Sequence, residues 1–224
     1  MNILITGATG FIGQNLIKSL RLNHNIYALI RPTTDITKLN GIYTYEFNDD
    51  VDDLSSYMLN NEIEGVIHLA SLYIAEHKSG QIKDLILSNV YLGTALLEAS
   101  AKASIQWFLN TGTIWQNYNI APEIKDYCPV NLYAATKQSF IDLAKFYTET
   151  TNIRFCTLKL CDTYGPGDTR RKIFNLFKQI AESGESLDMS PGEQKLDIIY
   201  IDDVISGFIH LVEMLHDGTI NLDD

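Results

Sequence analysis

Short, largely apolar runs recur along the chain at residues 2–6, 26–30, 43–47, 65–69, 106–110 and 155–160, and again at 219–222. Each reads as a β strand, and the near absence of polar alternation marks strands buried on both faces. Between them, residues 12–22, 81–102, 132–150, 172–183 and 204–215 carry apolar side chains at three- and four-residue spacing, the pattern of covering helices. Strands alternating with helices of this length predict an α/β fold with a doubly wound parallel sheet. No internal repeat or low-complexity stretch interrupts the rhythm. It loosens only after Tyr164-Gly165-Pro166-Gly167, where a second, smaller unit is expected to begin.

The first strand runs straight into Thr6-Gly7-Ala8-Thr9-Gly10-Phe11-Ile12-Gly13 and then into a helix. In this strand-turn-helix context the glycines have separate tasks. Gly7 permits the tight turn, Gly10 clears the approach of a pyrophosphate, and Gly13 lets the helix pack closely on the sheet. The helix N-terminus then offers unpaired N–H groups to phosphate. A tight βα turn without a ligand is the plain alternative, and the position of the motif at the start of a βαβ chain weighs against it. The second strand ends Leu29-Ile30-Arg31-Pro32, with no carboxylate for a ribose 2′-hydroxyl and an arginine available for a 2′-phosphate. That favours NADP, with NAD as the alternative; a solvated loop arginine is the competing explanation. Asp50 suits an adenine amino group or a plain acidic turn equally well.

Composition narrows the field further. The 224 residues hold 17 Lys+Arg against 28 Asp+Glu, a formal charge of −11. An acidic chain repels polyanions, so neither nucleic acid nor an anionic membrane is an expected partner. Cys128, Cys156 and Cys161 have no metal-ligand spacing and read as reduced thiols, so no metal site is expected. The N-terminus lacks the basic stretch of an export signal and no apolar run reaches the ~18–20 residues of a membrane span, which predicts a soluble, cytoplasmic protein.

Tyr133 and Lys137 lie four residues apart in Asn131-Leu132-Tyr133-Ala134-Ala135-Thr136-Lys137, on one face of a predicted helix. A neighbouring ammonium is expected to lower the phenol pKa and equip Tyr133 for acid-base work, although such a pair is more often a solvated helix face. Thr111, ending a buried strand upstream, adds a hydroxyl able to hold a carbonyl oxygen.

Together these strings resemble the extended short-chain dehydrogenase/reductase family, the nucleotide-sugar epimerase/dehydratase group. Further matches are Val66-Ile67-His68-Leu69-Ala70, Asn89-Val90-Tyr91-Leu92-Gly93-Thr94, Tyr164-Gly165-Pro166-Gly167 and Tyr200-Ile201-Asp202-Asp203-Val204. Six short strings in the family's order are far more specific than any one. The resemblance implies an NAD(P)-binding Rossmann domain over residues 1–165. Residues 166–224 would form a partial, truncated substrate-binding lobe interleaved with the last helix and strand of the Rossmann domain, because relatives usually continue further. It implies a cofactor held by Gly7, Thr9, Gly10, Phe11, Ile12, Gly13, Arg31, Asp50 and Val51, and by Leu69, Ala70, Ser71, Asn89, Tyr133 and Lys137. Catalysis would fall to Tyr133 as general acid/base, Lys137 on the nicotinamide ribose and Thr111 on the reacting oxygen. His68 reads as a packed strand residue. A homodimer through the helices at 81–102 and 132–150 is expected on the same ground.

Within the family, dehydratases carry Thr-Asp-Glu where this chain has Thr111-Gly112-Thr113, so no acid pair is present to remove water. Tightly bound NAD, the habit of the epimerases, fits Ile30-Arg31 poorly. Net reduction of a 4-keto nucleotide-diphosphate sugar by NADPH is the favoured reading. The chain is most similar there to 4-ketoreductases of the CDP-abequose and CDP-paratose synthase type. An NAD-dependent 4-epimerase and a non-catalytic NADP(H)-binding protein are the alternatives. Tyr73, Thr113 and Trp115 are expected to line the sugar pocket. Lys159, Asp162 and Leu196 replace the family's usual Arg, Asn and Arg, so Arg170, Arg171 and Lys172 are the candidate cations for the sugar nucleotide's diphosphate, or else a solvated basic turn.

Overall fold

The computed structural model describes residues 1–117, 126–170, 172–189, 191–193 and 195–220. Six parallel strands form one sheet: β1 Asn2–Thr6, β2 Asn25–Ile30, β3 Tyr43–Glu46, β4 Gly65–His68, β5 Trp107–Thr113 and β6 Arg154–Leu160. Their order is β3-β2-β1-β4-β5-β6. The winding therefore reverses between β1 and β4, and open α/β sheets bind ligands at the carboxyl ends of the strands at such a point.

The unbroken apolar runs are explained by two cores. Helices α1 Phe11–Leu20 and α7 Ile201–Asp217 cover one face, where Ile3 and Ile5 meet Leu16, Leu20 and Phe208. Helices α2 Val51–Asn60, α4 Leu92–Lys102 and α5 Leu132–Thr150 cover the other, where Leu4 meets Leu54, Leu96 and Phe140. Packing on this second face is close: a Cβ on Gly93 would stand 2.5 Å from the Phe140 ring. The short helix α3 Ile82–Ile86 continues into α4 through a π turn, Leu87–Tyr91, inside the segment expected as one helix.

Three features depart from the sequence reading. Helix α2 was not expected, because its polar stretch Val51–Asn60 buries only Leu54, Ser55 and Met58. A second, two-stranded parallel sheet pairs β7 Asp162–Tyr164 with β8 Ile198–Tyr200, and α6 Ile173–Ser183 lies between them in sequence without a buried residue. The small sheet thus joins residues on both sides of position 165. Of the strand expected at 219–222, Thr219 and Ile220 are not in a strand: Gly218 takes φ 71° to end α7, and Thr219 N turns back to Met214 O at 3.0 Å. Asn221 and Leu222 lie outside the described residues.

Candidate active site

The turn after β1 is shaped by backbone contacts. Gly7 has φ 69°, and a Cβ there would meet Ala70 N at 2.8 Å; one on Gly13 would meet Gly7 O at 2.3 Å. Gly10 N closes the turn onto Gly7 O at 3.0 Å. As N-cap of α1, Gly10 supplies no side-chain acceptor, and no acid occupies the first turn, so the helix start is open to an anion. The Thr6 hydroxyl ties the two strands at the switch point, accepting from Ala70 N at 3.1 Å and meeting His68 Nδ1 at 2.8 Å. Burial, reinforced by the Lys137 charge, pushes His68 down to about 3, so it is a neutral, packed ring.

A groove of about 560 Å³ opens above this switch point. It runs from Gly7, Gly10, Phe11, Ile12 and Gly13 past Leu69 and Ser71 to Thr111, Thr113 and Tyr133, and on to Tyr73, Trp115, Asp162, Arg170 and Lys172. Asn131 starts α5 by accepting from Ala134 N at 2.9 Å, which sets Tyr133 on the first turn and Lys137 one turn deeper. Strand β5 runs three residues past its expected end, so Thr111 and Thr113 both stand on it. The Thr111 hydroxyl is buried and without a hydrogen-bond partner among the described residues.

Two ionisable groups at the centre are perturbed. Burial raises the Tyr133 phenol above its ordinary value, opposed by a hydrogen bond with Ser71. This corrects the expectation of a phenol lowered by Lys137: desolvation of the phenolate is the largest influence, and the opposing one comes from Ser71 and not from the ammonium. Lys137 is 2% exposed and has no hydrogen bond or ion pair among the described residues. Burial alone brings its ammonium down to about 8. An uncapped helix start, a buried ammonium and a buried hydroxyl, all lacking acceptors, fit a ligand rich in phosphate and hydroxyl oxygens. A nicotinamide dinucleotide meets that description.

Other expected cofactor residues are placed differently. Asn89 sits in the π turn, almost fully buried, its amide engaged with Leu72 N at 2.7 Å, Leu72 O at 2.9 Å and Thr136 Oγ1 at 3.1 Å. It braces the loop after β4 against α5 and does not line the groove. Asp50 caps α2, accepting from Asp52 N and Asp53 N at 3.0 Å each, which is the acidic-turn alternative. Val51 opens that helix, and Thr9 and Ala70 lie in the phosphate turn and at the end of β4 without lining the groove. Arg31 is exposed at the end of β2, where its backbone forms a turn with Thr34.

At the far end of the groove, the Tyr73 ring lies edge-on to Tyr133 at 5.1 Å and beside Trp115 at 5.5 Å. Thr113 Oγ1 accepts from Trp115 N at 3.3 Å. Lys172 stands over Tyr73 at 5.3 Å and pairs with Asp162 at 2.5 Å. Arg170 is held in a fork by Asp168 and donates to Thr163 O, so Arg170 and Lys172 are each engaged by a separate carboxylate. Arg171 lies outside the described residues. Asp168 and the Ser71–Tyr133 bond escaped the sequence reading, and Asp162 entered it only as a departure from the family's Asn. The signal for the two acids was the cluster of polar residues flanking Tyr164-Gly165-Pro166-Gly167.

A doubly wound sheet with an open phosphate turn, and a Thr-Tyr-Lys set at the same switch point, defines a dinucleotide-dependent enzyme of the extended short-chain dehydrogenase/reductase class. Residues 3–222 match the NAD dependent epimerase/dehydratase family, and the chain belongs to it. It is 31% identical over 213 residues to CDP-abequose synthase of Salmonella muenchen, covering 94% of this chain and 70% of that protein. Among solved structures, UDP-glucuronic acid 4-epimerase from Bacillus cereus, in complex with UDP-glucuronic acid and NAD, is 25% identical with a TM-score of 0.82; the match covers 95% of this chain and 73% of the epimerase. UDP-glucose 4-epimerase from Thermotoga maritima shares the fold at a TM-score of 0.85 and 23% identity, over 95% of this chain and 74% of its own. Among the described residues no helix is long and apolar enough to cross a membrane, and no group of His, Cys, Asp or Glu is arranged to hold a metal ion.

Proposed function

We propose that the protein reduces a 4-keto sugar linked to a nucleoside diphosphate, with NADPH as reductant. The observation that carries this reading is the meeting of Thr111 and Tyr133 in one groove that continues into the Tyr73–Trp115 wall, with Lys137 buried one helical turn below Tyr133. Similarity to CDP-abequose synthase supports a deoxysugar substrate, and Arg31 at the end of β2 supports NADP. When bound, the reduced nicotinamide supplies hydride to the carbonyl carbon. Everything else falls to this chain. Thr111 Oγ1 donates to the carbonyl oxygen, and Tyr133 passes its proton to that oxygen as negative charge grows there. The raised phenol pKa suits this direction, because a proton donor must be protonated before the reaction begins. Lys137 holds ribose hydroxyls, and its charge favours the phenolate left behind.

Residues 166–224 hold a partial substrate lobe interleaved with the last helix of the Rossmann domain in this reading, with Lys172 and, from β7, Asp162 at the sugar. Apolar side chains exposed on α3 and its π turn (Ile82, Ile86, Leu87, Tyr91) and on α5 (Leu143, Phe146) support a homodimer, which light scattering would show as twice the monomer mass. A second reading, an NAD-dependent 4-epimerase, draws on the solved epimerases of like fold. A scan of NADPH and NADH oxidation over CDP-, dTDP-, GDP- and UDP-linked 4-keto sugars separates the two. Steady NADPH consumption with one of them supports reduction. Interconversion of a UDP-hexose by protein-borne NAD, with no net oxidation, would replace it with the epimerase.

A further inference from the structure

We propose that Arg170 belongs to the cofactor's diphosphate subsite, aimed there by Asp168, and not to the sugar nucleotide. The phosphate turn from Gly7 to Gly13 contains no cationic side chain. Backbone N–H groups and the start of α1, equivalent to about half a positive charge, are all it offers to a diphosphate carrying about two negative charges. The guanidinium of Arg170 lies 4.6 Å above the ring of Phe11, the first residue of α1. It therefore reaches the helix start from the opposite wall of the groove.

Its orientation is fixed on three sides. Nε donates to Asp168 Oδ1 at 2.8 Å, and Nη2 donates to Asp168 Oδ2 and to Thr163 O, both at 2.8 Å. Asp168 Oδ1 also accepts Arg170 N at 3.0 Å, and its side chain is only 2% exposed. Three of the five N–H donors of the fork are thereby used, and the two on Nη1 donate to none of the described residues. A guanidinium held over Phe11, with a pair of N–H groups left over, is preorganised for a phosphate oxygen. Lys172 is directed elsewhere, to Asp162 and the Tyr73 ring beside Tyr133. The two cations therefore serve opposite ends of the groove. This assignment rests on membership of the NAD-dependent family and is independent of which sugar is reduced.

Calorimetric titration of the full chain with ADP-ribose, adenosine and CDP tests it without turnover. Arg170→Met is expected to weaken ADP-ribose about tenfold, the order of one charge-assisted bidentate contact, and to leave adenosine and CDP within about twofold. Arg170→Lys keeps charge over Phe11 but loses the fork, and Asp168→Asn loosens the aim; each is expected to weaken ADP-ribose about threefold at an unchanged melting temperature. Should Arg170→Met prove poorly folded, these two variants decide. ADP-ribose binding within twofold of wild type in the variants that fold, or an equal loss for adenosine or CDP, would overturn the proposal.

Discussion

The two ends of the groove are built from different materials. At the cofactor end, the turn from Gly7 to Gly13 is defined by backbone approach and by side chains that are missing, with Gly13 so close to Gly7 O that no Cβ fits. At the end proposed for the sugar, Asp162, Lys172, Tyr73 and Trp115 form a surface of half-exposed side chains linked by an ion pair and ring contacts. The first end rests directly on the two-sided core; at the second, Asp162 and Lys172 hang on a three-residue pair of strands and on α6, which buries nothing. Rigidity is therefore concentrated where every substrate-independent step needs it, and freedom to vary where a particular sugar is read.

The contrast can be attacked from each end. The largest expected effect lies between them: Tyr133→Phe should lower kcat by about 10²–10⁴-fold while NADPH affinity stays within a few-fold, as read by initial rates and fluorescence titration. On the core side, Gly93→Ala forces a Cβ 2.5 Å from the Phe140 ring and should cost about 1–3 kcal/mol in chemical denaturation. On the sugar side, Lys172→Met breaks a partly exposed ion pair and should cost under about 1 kcal/mol by the same assay, while changing the KM for the sugar nucleotide. If the two stability losses were alike, the contrast would fail. Arg31→Ala should raise the NADPH KM about tenfold and leave the NADH KM nearly unchanged, whereas equal shifts would remove the case for NADP. A further effect is a pH slope. Lys137 titrates at about 8 in the folded chain against 10.5 unfolded, so between those values the unfolded chain holds more protons. Stability of the cofactor-free protein should therefore rise from pH 8 toward 10.5, by at most about 1.4 kcal/mol per pH unit, and Lys137→Met should flatten the rise.

How much was legible follows the same division. Strand β1, its turn and α5 declare themselves through an apolar run, spaced glycines and apolar side chains at three- and four-residue spacing, all of which are local signals. Helix α2 hid because its surface is acidic and its buried face amounts to three small contacts, and the π turn at Leu87–Tyr91 has no periodic signature of its own. Asn89 matched a family string, yet the fold uses it as a brace between Leu72 and Thr136, a role set by residues 17 and 47 positions away. The direction of the Tyr133 shift was likewise unreadable, because it depends on burial that no local pattern reports. Arg170 stood out as a cation, but its partner Asp168 and the ring of Phe11 meet it only once β7 is folded against α1.

In the proposed reaction, hydride leaves NADPH for carbon 4 of a nucleotide-linked sugar while Tyr133 protonates the oxygen. NADPH deuterated at the transferable position of the nicotinamide, incubated with the enzyme and a CDP-linked 4-keto-6-deoxysugar, tests it in one measurement by mass spectrometry of the sugar product. One deuterium at carbon 4 for each NADPH consumed, lost in Tyr133→Phe, is the predicted result. An unlabelled product formed without NADPH consumption would contradict it.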